Sequence, residues 1–350
     1  MFVLTRVSSK IKYYIFVLMQ LLRNLAWPIS LLYGVIVYLR NWLYDKGYFK
    51  SNSFSTPTLC IGNLSVGGTG KTPMIEWVLK QISDKNEVVV LSRGYKRRSK
   101  GFLLANTSST AENIGDEPLQ IFSKFPEVAV AVDEDRGNGI KRIEELLKPQ
   151  LILLDDAYQH RKVDPSVSVL LTSYGNLYID DNYLPTGNLR DSKSAAKRAD
   201  LIIVTKCPSD LDAKTINSIE NSLNTSKHQK ILFCTLSYDS IIQNEIGNMP
   251  LELLRNKEVT LVTGIANPTP LLDYLTSKEI SFEHLPYRDH HFFTAKELAL
   301  FNGKDLVVTT EKDFMRLKGK VANLYYLGVQ HLFIGDGANS FRELLLSLRN

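Results

Sequence analysis

The segment Gly62-Asn-Leu-Ser-Val-Gly-Gly-Thr-Gly-Lys-Thr-Pro73 combines the residue types needed to hold a polyphosphate. Closely spaced glycines let backbone N–H groups curl around phosphate oxygens. Lys71 can reach the β and γ phosphates, and the Thr72 hydroxyl can bind Mg²⁺. The expected nucleotide-binding stretch is Ser65, Val66, Gly67, Gly68, Thr69, Gly70, Lys71 and Thr72. A helix starting there aims its positive end at the anion, and Pro73 fits a first helical turn, where its missing N–H costs little. The strict pattern GxxxxGK[ST] has glycine where Ser65 stands; Gly67 and Gly68 supply the flexibility instead.

A second nucleotide signal is Leu151-Ile-Leu-Leu-Asp155-Asp156, an apolar strand ending in carboxylates. Such a carboxylate holds Mg²⁺ directly or through water. Many strands end in Asp, but a phosphate loop about 85 residues upstream makes the pair informative. Val204-Thr-Lys-Cys-Pro208 sits where a guanine-reading Asn-Lys-x-Asp would stand, and it lacks the closing Asp. That favours ATP over GTP.

Elements able to position these groups are visible around them. Short apolar runs predict strands at Thr58–Ile61, Val88–Leu91, Val128–Val132, Leu151–Leu154, Val167–Leu171 and Leu201–Val204. Helical patterns lie between several, including Pro73–Ile82 and Ile140–Leu147. The alternation implies an α/β fold of the P-loop NTPase type, a mainly parallel sheet with helices on both faces. After a looser stretch from Cys207 to Leu254, a smaller α/β unit follows, with Val259–Val262, a helix near Pro268–Thr276, and Leu306–Thr309. The expected organisation is an N-terminal helical segment (1–50), a nucleotide-binding lobe (51–206) and a C-terminal lobe (207–350) closing over the cleft.

The chain of 350 residues suits two lobes. Its net charge of +5 suits phosphate-bearing or anionic-membrane partners. No aromatic platform or recognised module points to nucleic acid, and no obligate protein partner is expected. Cys60, Cys207 and Cys234 lack metal-type spacing and read as reduced, buried thiols of a cytosolic compartment.

Residues 11–39 are unusually apolar, in two runs separated by Arg23 and Asn24. The second run, Leu25–Leu39, would be about 22 Å long as a helix, short of the roughly 30 Å hydrocarbon core. Joined, the runs are long enough to span, but Arg23 would then lie near mid-bilayer at about 3 kcal/mol. Lys10 and Lys12 on one side and Arg40 and Lys46 on the other give no clean orientation, and no signal-peptide cleavage site follows. Trp27 and Trp42 suit an interfacial depth. The expectation is a bent helix or helical hairpin inserted partway into a membrane surface; helices packed on the soluble core are the alternative.

A longer series carries a family resemblance. Ile61–Pro73, Leu91-Ser-Arg-Gly-Tyr95, Gly115-Asp-Glu-Pro118, Asp155-Asp-Ala-Tyr-Gln-His160, Leu184-Pro-Thr-Gly-Asn-Leu-Arg190, Arg288-Asp-His-His291 and Thr309-Thr-Glu-Lys-Asp313 occur in this order. Together with the apolar N-terminus they resemble the tetraacyldisaccharide 4'-kinases. Two departures stand out: Ala157 replaces a usual glycine, and Gly187-Asn-Leu-Arg-Asp191 replaces Gly-Pro-Leu-Arg-Glu.

The resemblance implies transfer of the ATP γ-phosphoryl group to the 4' hydroxyl of a tetraacylated glucosamine disaccharide 1-phosphate, with Mg²⁺, at the cytoplasmic face of the bacterial inner membrane. It implies Asp116 as the catalytic carboxylate, Glu117 as a further Mg²⁺ ligand beside Thr72 and Asp155, and His290 as partner of Asp116 across the cleft. His291 is the alternative partner. Asp156 could itself be the base, and a helix N-cap is the bland role for Asp116. Gln159 and His160 are expected at the lipid substrate. Arg93 and Arg190 are candidates for phosphate contacts, since the guanidinium fork suits them. The charges of Tyr95-Lys-Arg-Arg-Ser-Lys100 suit either a solvated loop or anionic headgroups. Two rival classes are a P-loop ATPase driving a transport or conformational process and a nucleotide-binding scaffold without turnover.

Overall fold

The computed structural model describes residues 18, 21–82 and 87–348. Most of the first apolar run, with Lys10 and Lys12, lies outside them. The described chain begins in helix at residues 21–25 and continues as α1 (Trp27–Asp45). Then follow β1 (Thr58–Asn63), α2 (Lys71–Gln81), β2 (Val88–Ser92), β3 (Leu103–Leu104), α3 (Ala111–Ile114), α4 (Asp116–Lys124), β4 (Ala129–Val132), α5 (Arg136–Leu146), β5 (Leu151–Asp155), β6 (Val167–Ser173) and β7 (Leu201–Thr205). The second half contributes α6 (Ala213–Leu223), β8 (Lys230–Gln243), β9 (Asn248–Pro250), β10 (Val259–Thr263), α7 (Thr269–Ser277), β11 (Phe282–Pro286), α8 (Ala295–Asn302), β12 (Leu306–Thr310), α9 (Glu311–Leu317), β13 (Leu324–Phe333) and α10 (Gly337–Ser347).

All strands join one sheet in the order β11-β10-β12-β13-β8-β7-β6-β1-β5-β2-β4-β3, with β9 paired to β8. Strands β1, β2, β5, β7 and β10 are buried along their whole length. That is why each was legible as a continuous apolar run: a parallel strand covered on both faces has no polar side. Strands β6, β1, β5, β2 and β4 run parallel, so their carboxyl ends open on one edge, where a doubly wound sheet places its ligands.

The two halves share one strand. Lys230–Phe233 of β8 pairs in parallel with β7, and Cys234–Gln243 pairs antiparallel with β13. Ile219 and Leu223 of α6 pack into the core of the first half, and so do Phe341 and Leu345 of α10. Trp77 of α2 stacks on Phe341 at 5.1 Å between ring centres and meets Phe333 at 4.7 Å. Against the expected division at residue 206, we propose a boundary that runs along β8, with α10 packing on the first lobe. The stretch from Cys207 to Leu254 looked loose because β8 is only half-buried over most of its length.

Helix α1 is built inside out. Ser30, Gly34, Val37 and Asn41, one face at helical spacing, are buried against the protein. Ser30 Oγ donates to Thr186 Oγ1 at 2.8 Å, and Asn41 Nδ2 donates to Asp191 at 2.7 Å. Gly34 lets the helix approach closely, because a Cβ there would sit 2.8 Å from the Tyr183 ring. Arg23 donates to the Pro185 and Gly187 carbonyls at 3.1 and 2.7 Å. Leu31, Leu32, Val35, Ile36, Tyr38 and Leu39 point to solvent. No helix among the described residues is long and apolar enough to cross a membrane.

Replacing Gly34 with Val should force α1 off the Tyr183 ring and destabilise its seat by about 1–3 kcal/mol, the usual cost of overpacking. Hydrogen exchange should rise across Trp27–Asp45 and stay unchanged in β5. Unaltered exchange in α1 would show that the close approach is not what holds the helix.

Candidate active site

The phosphate loop lies between β1 and α2. Gly67 and Gly70 take positive φ, +121° and +87°, whereas Ser65 does not, so the missing glycine at 65 costs nothing. Ser65 Oγ instead donates to Asp181 at 2.9 Å. Asn63, the last residue of β1, donates from Nδ2 to Thr69 Oγ1 at 3.1 Å. Thr205, the last residue of β7, donates to the Thr69 carbonyl at 2.8 Å. The loop is thus tied to two strand ends before any ligand arrives. The first-turn N–H groups of α2 have no intrahelical acceptor and face the loop mouth. A cavity of about 290 Å³ opens beside it, lined by Gly67, Gly68, Thr69, Ser173, Tyr178 and Lys206.

The end of β5 supplies the carboxylates. Asp155 is buried; one oxygen accepts from Ser92 Oγ at 2.8 Å, and the other has no hydrogen-bond partner. Burial, reinforced by Glu117 and Asp156, pushes its carboxyl well above the usual range. A buried carboxylate oxygen left bare beside two further acidic groups and Lys71 is what a divalent cation would satisfy, so Asp155, Thr72 and Glu117 fit a Mg²⁺ site. Asp156 follows with φ +49°. Arg190 grips both its oxygens, and Lys71 Nζ lies 3.7 Å away. Burial pulls its carboxyl up, but Lys71 and Arg190 outweigh this and hold it below its ordinary value. The strained residue is therefore Asp156, not Ala157, and the missing glycine at 157 is harmless.

Across the cleft, Asp116 begins α4 after Gly115. It does not cap the helix; its side chain makes no capping hydrogen bond and turns to the second lobe. His290 Nδ1 lies 2.8 Å from Oδ2, and Arg316 Nε donates to Oδ1 at 3.0 Å. Burial opposes ionisation, but the hydrogen bonds from His290 and Arg316 prevail and hold Asp116 near a pKa of about 2. His291 is engaged elsewhere, 3.0 Å from Glu297 and stacked on Tyr287, which leaves His290 as the partner. Lys312 stands over the group, 3.1 Å from His290 Nε2 and 3.7 Å from Glu117.

Arg316 and Lys312 went unassigned in the sequence. Thr309–Asp313 was noticed as a segment, but no motif gives its lysine a task, and Arg316 lies beyond it. A basic residue three positions after Asp313 on one helix was the available signal: Asp313 receives Arg316 Nη1 at 2.9 Å. Gln159 Nε2 donates to the Asn63 carbonyl at 2.7 Å, so it braces the phosphate loop. His160 lines a second cavity of about 270 Å³ with Arg40, Glu134 and Arg161 beneath α1. Burial and then the charges of Arg136 and Arg93 lower its pKa to about 4. Arg93 is exposed, with no hydrogen-bond partner among the described residues. Within Tyr95–Lys100, Arg97 pairs with Glu134 and Arg98 with Glu112 at 3.0 Å, whereas Tyr95 meets the His290 ring edge-on at 5.5 Å.

Comparison with known proteins bears on the family and the fold. The family model for LpxK, the tetraacyldisaccharide-1-P 4'-kinase, matches residues 22–349. The tetraacyldisaccharide 4'-kinase of Flavobacterium johnsoniae is 46% identical over 327 residues, 92% of this chain and 96% of that one. Its counterpart from Bacteroides thetaiotaomicron is 44% identical over 311 residues, 83% and 82% of the two chains. The crystal structure of LpxK from Aquifex aeolicus in complex with ATP superposes with a TM-score of 0.77 at 29% identity, covering 94% of this chain and all of that one. The chain belongs to the tetraacyldisaccharide-1-phosphate 4'-kinase family.

Proposed function

We propose that the protein transfers the γ-phosphoryl group of ATP to the 4' hydroxyl of a tetraacyldisaccharide 1-phosphate, in lipid A biosynthesis, with the residues of this cleft in the following roles. The reading rests on one observation above all: Asp116, beside the proposed Mg²⁺ ligands, is held by His290 and Arg316 from the opposite lobe.

Phosphoryl transfer needs positioning and charge neutralisation more than covalent help from the protein. The loop amides and Lys71 hold the β and γ phosphates. Thr72, Asp155 and Glu117 would hold Mg²⁺, which when bound would neutralise charge on the phosphate oxygens. Arg190, fixed by Asp156 and Asn63, presents its guanidinium beside Lys71. Asp156 is occupied with two cations, so Asp116 is the carboxylate that receives the attacking hydroxyl's hydrogen bond. Its depressed pKa suits orientation and late proton acceptance, with His290 sharing the proton. Gln159 braces the loop, and Arg93 and His160 face the side where the lipid headgroup would enter.

The outward apolar face of α1 supports docking at a membrane surface. A substrate with four acyl chains stays in the bilayer, and a helix docked there by its apolar face would bring the cleft beside it. Use of ATP, a cytoplasmic nucleotide, supports the cytoplasmic face of the bacterial inner membrane.

Transfer of labelled γ-phosphate to purified tetraacyl disaccharide 1-phosphate tests the whole reading; free phosphate without lipid product would turn it towards a transport-type ATPase. Asp116→Ala should lower kcat about 10²- to 10⁴-fold with ATP binding little changed; near-normal turnover removes Asp116 from the mechanism. In the pH profile, Asp116 stays ionised down to a pKa of about 2. Arg316→Gln takes away a bond that lowers that pKa, so the acid limb of kcat should move up by about one to two pH units. Finally, Leu32→Asp with Ile36→Asp should release the protein from vesicles of anionic lipid. If the double variant still sediments with them, the membrane contact lies elsewhere.

A further inference from the structure

His331 lies on β13, far from every motif, yet it touches the phosphate loop. It is 1% exposed, and its Nε2 lies 2.9 Å from the Gly70 carbonyl. Its Nδ1 lies 3.3 Å from Cys234 Sγ on the paired strand β8. Burial lowers the imidazole pKa to about 4, so the ring is neutral and carries one proton. The Gly70 and Thr235 carbonyls both draw on the ring's proton; the 2.9 Å contact to Gly70 places it on Nε2, so Nδ1 accepts the Cys234 S–H, and burial raises that thiol and keeps it protonated.

The Gly70 carbonyl also accepts the Met74 N–H at 3.1 Å. In a trans peptide the N–H points opposite the C=O. With the carbonyl held by two donors, the Lys71 N–H is aimed at the loop mouth and polarised. Gly70 is required twice over: its φ is +87°, and a Cβ would stand 2.8 Å from His331 Nε2.

We propose that His331, oriented by Cys234, is a positioning residue for the nucleotide: its hydrogen bond to the Gly70 carbonyl sets the Gly70–Lys71 peptide to donate to the β-phosphate. This rests on the kinase reading of the loop. It also makes β13, the strand that joins the second lobe to β8, a direct support of the phosphate site.

The test is calorimetric titration of the full chain in detergent with ATP, ADP and AMP, beside steady-state kinetics. His331→Leu should weaken ATP and ADP by about 5- to 30-fold, the loss of one hydrogen bond. AMP, which lacks the β-phosphate, should change less than about twofold. KM for ATP should rise while KM for the lipid stays constant. His331→Gln, which retains a donor, should recover most of the loss. Cys234→Ala, which frees the ring, should cost about two- to fivefold for ATP and ADP. A folded Leu variant that binds ATP and ADP like the wild type overturns the proposal, as does an equal loss for AMP. If the Leu variant does not fold, Cys234→Ala decides, and wild-type affinity there overturns it. Absence of ATP binding by the wild-type protein would instead remove the kinase reading.

Discussion

Arg316 is the residue on which the closed arrangement depends. Its guanidinium is buried between Asp116 of the first lobe and Asp313 of its own helix α9. Burying that charge is costly, and the cost is offset only because both carboxylates are buried with it and hydrogen-bonded on every side. Asp313 in turn accepts the Gly264 N–H at 2.8 Å and the Thr310 hydroxyl at 2.7 Å, so the second lobe's sheet and helix meet at one carboxylate. A second buried knot lies along the same interface. Lys124 of α4 bridges Glu76 of α2 at 2.5 Å and Glu311 of α9 at 2.7 Å. Three helices that each carry site residues at one end are thereby locked in mutual register.

That construction bears on how the cleft can work. Part of the bonding that holds the lobes together is made by Asp116, the carboxylate proposed to meet the hydroxyl. An opening of the lobes would strip Asp116 of both His290 and Arg316 and let its carboxyl rise towards the ordinary value, so closure and the charge state of the site are one equilibrium. The linkage sign follows: a depressed folded pKa adds stability above the unfolded value, and that stability is lost as pH falls towards about 2.

The central sheet was legible because its strands are buried on both faces, as in Leu151–Asp155, and the phosphate loop because glycine spacing and a following Lys-Thr have a mechanical reason. Strands β8 and β13 were not. They mix parallel and antiparallel partners and are half-buried, so their apolar residues alternate with polar ones such as Ser237, Asp239 and Gln330. Asp116 and His290 were proposed through the resemblance; residue chemistry alone left Asp116 open between a catalytic role and a helix cap. His331 was invisible and Arg316 left only the spacing to Asp313 as a signal, because what gives each its place is a contact more than 190 residues away in the chain. Ala157 and Ser65 drew notice as departures, and both are neutral because the left-handed backbone falls on Asp156 and on Gly67 and Gly70.

The N-terminal helix reverses the usual rule for a packed helix, and the reversal explains why its sequence looked ambiguous between core and membrane. A helix seated on a soluble core turns its apolar stripe inward. Here the inward face is Ser30, Gly34, Val37 and Asn41, and the seat is made of hydrogen bonds to Thr186 and Asp191. Asp191 is wholly buried and also meets Arg40 and Arg198. The residue before it matters equally, since Arg190 clamps Asp156 in the cleft. One short stretch, 186–191, therefore holds the apolar helix on one side and the arginine that clamps Asp156 on the other. Asn41 of α1 bonds Asp191, whose covalent neighbour Arg190 clamps Asp156, so the helix with the exposed apolar face and the charged end of β5 are parts of one connected unit.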